Sequence, residues 1–369
     1  MGTAKECGRT VKIIDVKAYA IKQDVKIPFK WRKGLPQGSH LNEAGILRIL
    51  TDEGIEGIAV AQRGLMTVDY TKRRLRDMLI GRDPLLKERL WHEMWEMDRA
   101  EEFQIYYMGL PDVALWDITA KKAGMPLYQL LGGSQDRVQA YASTVTYDTV
   151  DEYLRVADYC LERGYKAIKL HAWGDAREDA KLCHALRKHV GDDICLMYDG
   201  SAGFHLQDAI YLGKSLEQAG YHWYEEPMRE FNMWNYKKLC DELTIPVLAA
   251  ETSDGCHYNA ADFIVHGACD IIRTGTVLKG GITGALRIAH LADSFGMKAE
   301  IHGGDQANVQ LACGINNNSF FEVLVWGTDP IGFGYAEVES DGFITAPQGP
   351  GIGYSFDWDE IESKAYAKA

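Results

Sequence analysis

Apolar and polar positions alternate along residues 11–23, VKIIDVKAYAIKQ, and again along 45–51, GILRILT. A period of two marks strands with one buried face. The second run turns at DEGIEG and returns through IAVAQ, which predicts a hairpin or meander. Between the two runs lies 25–42, a proline-containing stretch with a basic-aromatic cluster at Lys30, Trp31, Arg32 and Lys33. A connection of that length is a solvated loop or a lid over a site. Residues 70–132 then take on helical spacing, from the amphipathic YTKRRLRDMLIG through DPLLKERLWHEMWEM to an apolar segment ending in a Gly pair.

From Arg137 the texture changes. Short apolar runs occur at 137–145, 166–172, 194–201, 221–227, 246–253, 270–276, 298–304 and 320–326, with helical periodicity between them. Eight such alternations predict an α/β fold with a (β/α) barrel, the helix after the eighth strand being weakly marked. Beyond Trp326 the chain returns to turns and a hairpin-like DGFITAPQGPGIGYSFD, expected to pack back on the N-terminal unit. The division that results is an α+β unit over 1–135, a barrel over 136–326 and a tail over 327–369.

Composition narrows the class. A net charge of −13 leaves no broad basic face for a nucleic acid. No apolar run approaches the length of a membrane span. The N-terminus is polar and has no apolar targeting core, and Glu6 stands where a myristoylation motif needs Ser or Thr. Eight scattered cysteines without a CxxC pair read as buried thiols of a cytoplasmic protein.

The chemistry sits at the strand ends. CLMYDGS, YHWYEEP and VLAAETS each close on a carboxylate, Asp199, Glu225 and Glu251, spaced 26 residues apart in both steps. Strand C-termini of a barrel converge on one face, and three oxygen ligands there suit Mg²⁺. Lys169 and His171 share one side of the second barrel strand. A desolvated lysine near a divalent cation has a lowered pKa and serves as a base. His302 ends the seventh strand and is a second proton-transfer candidate. Glu322 lies inside the apolar eighth run, where burial is expected to keep it protonated and able to donate to a substrate carboxylate.

With these residues in view the chain resembles the enolase superfamily, and within it the mandelate racemase-like group, over nearly its whole length. DVALWDITAKKAGMPLYQLLGG resembles the end of that family's capping domain, GYKAIKLHAWG its Lys-x-Lys strand, and LKGGITGA at 278–285 the loop after strand six. The resemblance implies a modified TIM barrel, (β/α)₇β, under an α+β capping domain. It implies Mg²⁺ on Asp199, Glu225 and Glu251, an acid/base role for His302, a hold on the substrate carboxylate by Glu322, and commonly a homo-oligomer. It also implies removal of the proton α to a carboxylate, with an enediolate intermediate. Two departures stand out: His171 occupies the second basic position, and Gly275 falls where the family has an Asp paired with the catalytic His. A base nearer the ordinary imidazole pKa, or lower, is then expected at His302, with Asp305 or a water above Gly275 as replacement partner. That pattern favours Lys169 as base, His302 as acid, His171 as a positioning residue, and dehydration of an acid sugar to a 2-keto-3-deoxy acid. A racemase, epimerase or lactone cycloisomerase is the alternative, and a binding homologue without turnover a third reading. Trp31, Arg32, Lys33 and Arg63 are the expected substrate contacts.

Overall fold

A computed structural model describes residues 10–23, 30–36, 43–102, 106–326 and 338–369 of the chain. The first sheet is built from β1 (Ile13–Lys22), β2 (Glu43–Thr51) and β3 (Glu56–Gln62), paired antiparallel in that order. The β2–β3 turn runs through Gly54 at φ +76°, a left-handed conformation that glycine adopts without steric cost. One face of this sheet packs on the helix Tyr106–Ala123.

The second sheet supplies the barrel. Its strands are β4 (Arg137–Thr144), β5 (Ala167–His171), β6 (Cys195–Asp199), β7 (Tyr224–Glu225), β8 (Val247–Ala249), β9 (Ile271–Thr274), β10 (Lys298–Ile301) and β11 (Phe320–Val325). They pair in parallel from β4 through to β10, with β11 on the far side of β4, and the sheet curls until β10 and β11 meet. Each expected run contains its strand. The ladders are shorter than the apolar runs, most of all at 221–227, where only Tyr224 and Glu225 pair.

Helices follow each strand but the last among the described residues, and several start on a side-chain cap. Thr149 and Glu152 close a capping box ahead of Val150–Glu162, and Asp175 caps Ala176–Val190. Inside the barrel, Tyr141, Ala167, Met197, Trp223, Leu248 and Ile271 form one buried layer, a side chain from each successive strand region. Side chains two residues further along face the same interior one layer higher. That layer includes Lys169, Asp199, Glu225 and Arg273, all buried.

The tail departs from the expected hairpin. Phe343–Thr345 (β12) pairs antiparallel with β4, not with its own continuation. Pro347 and Pro350 follow and lack the N–H groups a return strand would donate. Ala365–Lys368 (β13) then adds to β1 as the edge strand of the first sheet. The helix Tyr106–Ala123 ties these parts together. Asp117, fully buried on it, accepts the N–H of Ile58 at 2.9 Å and of Ile352 at 2.8 Å. Asp112, one turn earlier and also buried, accepts from the Thr283 N–H and hydroxyl at 2.8 and 2.7 Å, fixing this helix to Gly281–Ser294 of the barrel.

Candidate active site

A cavity of about 610 Å³ opens at the C-terminal ends of the barrel strands. Its walls come from both sheets: Gln23, Trp31, Gln62 and Arg63 from the N-terminal unit, and Lys169, His171, Asp199, Glu251, His302 and Glu322 from the barrel. Glu225 is buried and does not reach the wall. Of the four expected substrate contacts, Trp31 and Arg63 line the cavity. Arg32 instead donates to the Ser201 carbonyl at 3.0 Å, and the Lys33 ammonium lies 5.1 Å from the Trp173 ring centroid. Through these contacts both side chains fasten the loop to the barrel. Of residues 25–42 only 30–36 are described, so the expected lid lies mostly outside the described residues.

The ionisable groups are brought together as the strand ends suggest, but their pairing differs from expectation. The Lys169 ammonium is 3.1 Å from Asp199, 2.9 Å from Glu225 and 2.9 Å from Glu322. Burial opposes its charge, yet the three carboxylates raise its pKa well above the ordinary lysine value. The protein's own groups thus shift Lys169 in the direction opposite to that expected beside a divalent cation. Glu322 also reverses expectation. Burial alone would protonate it, but Lys169, Arg273 and His302 hold its carboxyl well below the usual range. It is an acceptor here, from Arg273 Nη2 at 2.8 Å and the Gly303 N–H at 3.2 Å, and not a donor.

His302 does have a carboxylate partner. Its Nδ1 lies 3.0 Å from Glu251 Oε2 and 3.4 Å from Glu322 Oε2. Burial disfavours the imidazolium, but Glu251 outweighs it and raises the pKa above the ordinary 6.5. Glu251, in place of the expected Asp305 or a water, is the carboxylate beside His302 Nδ1. Asp305 is engaged elsewhere, capping the helix Gln306–Gly314 through the Asn308 N–H. No room exists above Gly275: a Cβ there would stand 2.7 Å from the His302 carbonyl oxygen. The tight approach of β9 to β10 explains why glycine occupies the position.

His171 sits between an aromatic and an acid. Its ring is 4.7 Å from that of Trp31, Nδ1 lies 2.5 Å from the Thr144 carbonyl, and Nε2 is 3.0 Å from Asp199 Oδ2. Asp199 is held well below the carboxylate range, against the opposing effect of burial, by His171, Lys169 and the Ser201 N–H. Burial pushes Glu225 up, and Arg273 and Lys169 offset this only in part.

Two residues were not anticipated. Arg273, with no exposed surface, enters from β9 and pairs with Glu225 at 2.9 Å and Glu322 at 2.8 Å. Strand alternation from Ile271 identifies it as inward-facing. Glu226 accepts the Glu251 N–H at 2.9 Å; burial and the neighbouring Glu230 push its pKa well above the usual range.

Among the described residues no three His, Cys, Asp or Glu side chains are gathered as a ready-made metal cluster; each carboxylate faces a cation of the protein instead. The donor chemistry nevertheless fits a hard divalent ion. Asp199, Glu225 and Glu251 are all oxygen donors, and Glu225 Oε1 is buried without a hydrogen bond, since Arg273 approaches it off line.

Family models match both parts of the chain: the mandelate racemase / muconate lactonizing enzyme N-terminal domain over residues 16–132, and the enolase C-terminal domain-like model over 152–360. The chain belongs to this family. It is 28% identical over 372 residues to a D-galactonate dehydratase family member, RspA, of Halomonas elongata, covering 88% of this chain and 92% of the relative. A D-mannonate dehydratase of Novosphingobium aromaticivorans is 30% identical over 310 residues, covering 73% and 77%. The crystal structure of a D-glucarate dehydratase from Agrobacterium tumefaciens complexed with magnesium superposes with a TM-score of 0.85 at 32% identity, covering 96% of this chain and 99% of that one. The (β/α)₇β barrel and α+β cap of this family member are therefore the enolase superfamily fold. None of its described helices is long and apolar enough to cross a membrane.

Proposed function

We propose that this family member is an Mg²⁺-dependent acid-sugar dehydratase, which removes the proton α to a carboxylate and expels the β-hydroxyl to give a 2-keto-3-deoxy acid. The observation that carries the reading is one cavity in which Lys169 and His302 flank Asp199 and Glu251, with Glu225 directly beneath. The names of the relatives support the substrate class, and the magnesium of the Agrobacterium structure supports the cofactor. Asp199, Glu225 and Glu251 would hold the ion. Bound there, Mg²⁺ supplies positive charge that stabilises an enediolate and so lowers the barrier to losing an otherwise weakly acidic proton.

The side chains divide the rest of the work. Of the two, His302 is assigned as the base: it lines the cavity and, unlike Lys169, is not gripped by three carboxylates. The imidazolium formed then protonates the departing β-hydroxyl. Lys169, kept charged by its three carboxylates, faces the substrate as an ammonium and balances negative charge on its carboxylate oxygens. His171 holds Asp199 in place. Trp31 and Arg63 contact the sugar chain from the cap side, Trp31 by packing and Arg63 as an ionic contact.

Exchange of the α-proton in ²H₂O separates the assignments. His302→Asn is expected to abolish both exchange and product, and Lys169→Met to slow them while leaving exchange detectable. Exchange that survives in His302→Asn and vanishes in Lys169→Met would return the base to Lys169.

A further inference from the structure

Four charged side chains inside the barrel close a ring. Lys169 meets Glu225 at 2.9 Å, Glu225 meets Arg273 at 2.9 Å, Arg273 meets Glu322 at 2.8 Å, and Glu322 meets Lys169 at 2.9 Å. The members come from β5, β7, β9 and β11, so the ring spans the barrel interior. Signs alternate all the way round. Arg273 also donates to the Tyr141 hydroxyl on β4 at 2.7 Å.

Within the ring the two anions differ. Glu225 is sealed at the bottom, with Oε2 also facing the Trp223 indole N–H at 3.3 Å. Glu322 is the member that reaches the cavity wall, and it touches both proton-handling residues: Lys169 through Oε1, and His302 at 3.4 Å through Oε2. The same Oε2 takes the Arg273 Nη2 hydrogen bond. The Gly303 N–H also donates to this oxygen at 3.2 Å, and Arg273 is the holding group that does not itself line the cavity with a side chain. Its Nη2 donates to both Glu322 and the Tyr141 hydroxyl, while its Nε faces Glu225 as an ion pair off the hydrogen-bond line, a spread that one planar guanidinium permits. Lysine offers a single point of charge in their place.

We propose that Arg273 is a positioning residue for the reaction: by clamping Glu322 it fixes Lys169 and His302 relative to one another at the cavity wall. The role rests on the assignment of Lys169 and His302 made above, but the clamp itself is a property of the barrel. Arg273 does not line the cavity, so it acts on the substrate only through Glu322.

The test is a double-mutant cycle with Arg273→Lys, which keeps the charge, and Glu322→Gln. Arg273→Lys is expected to lower kcat by about tenfold or more with KM within about twofold, and to lower it by less than about twofold further in the Glu322→Gln background. Independent losses that multiply in the double variant, a change confined to KM, or an unchanged kcat would each overturn the proposal. A crystal structure of Arg273→Lys reads the clamp without any substrate. Glu322 should swing off Lys169 or off His302, and an otherwise intact ring would count against the clamp. A wild-type protein without turnover on any acid sugar would contradict the proposed function, while the crystallographic comparison would still decide the clamp.

Discussion

At the scale of single residues, the pairing of charges decides the chemistry more than their identities do. Lys169, Glu322 and His302 were all recognisable from strand ends, yet each has its protonation preference set by a neighbour from a different strand. Sequence spacing carries which side of a strand a residue faces, and it carried Lys169, Asp199 and Glu225 into one layer. It does not carry which carboxylate lies within 3 Å of which cation. Arg273 could have been read by the same alternation that placed Lys169, because Ile271 two residues earlier is a barrel-interior position. Glu251 as the partner of His302 could not: it lies two residues past β8, in irregular backbone that no periodicity describes. Gly275 makes the point testable. Replacing it by Asp would not restore a family-like pair, because the new side chain meets the His302 main chain at its first carbon. Gly275→Asp is expected to lose activity and about 1–3 kcal/mol of stability, as overpacking commonly does, measured by denaturant unfolding. An unchanged midpoint with a raised His302 pKa by NMR would show that β10 yields and that the space exists.

At the scale of elements, the eight barrel strands were legible as short, almost wholly buried apolar runs with helical spacing between them, and the meander by the alternation of its sequence. Their ends were not, because apolar runs such as PVLAAETS continue into the loops that build the site after the ladder has stopped at Ala249. The helix Tyr106–Ala123 was legible as a helix, but its two buried aspartates became meaningful only when their partners, Thr283, Ile58 and Ile352, arrived from distant parts of the chain. Asp112 carries a pH signature. Burial lifts its pKa to about 7, with the Thr283 hydrogen bonds opposing. In the unfolded chain it titrates near ~3.9. Between these values the folded state binds the extra proton, so its contribution is fully present below about pH 4 and is lost as pH rises to about 7, by on the order of 4 kcal/mol at most. Asp112→Asn cannot titrate. The stability difference between wild type and this variant should therefore move against wild type as pH rises from about 4 to about 7, then level off. A difference that stays flat across that range would show that Asp112 is ionised in the folded protein.

At the scale of the whole molecule, two units divide the task. The barrel supplies the charged floor and wall, and the N-terminal unit supplies Trp31 and Arg63 as a roof, joined to the barrel through one helix and a returning tail. The cavity wall sets Arg63, Lys169, His171 and His302 among more numerous carboxylates, so an anionic substrate would meet these cations beside the carboxylates proposed to hold the ion. The proposed function of this site is Mg²⁺-dependent dehydration of an acid sugar. The most direct measurement is proton NMR in ²H₂O of the protein with a panel of mono- and dicarboxylic sugar acids, with Mg²⁺ and with excess chelator. For at least one acid the expected result is loss of the α-proton signal together with growth of a 2-keto-3-deoxy product, both abolished by the chelator. Turnover that persists with the metal removed, or α-proton exchange that never leads to loss of water with any acid in the panel, would contradict it.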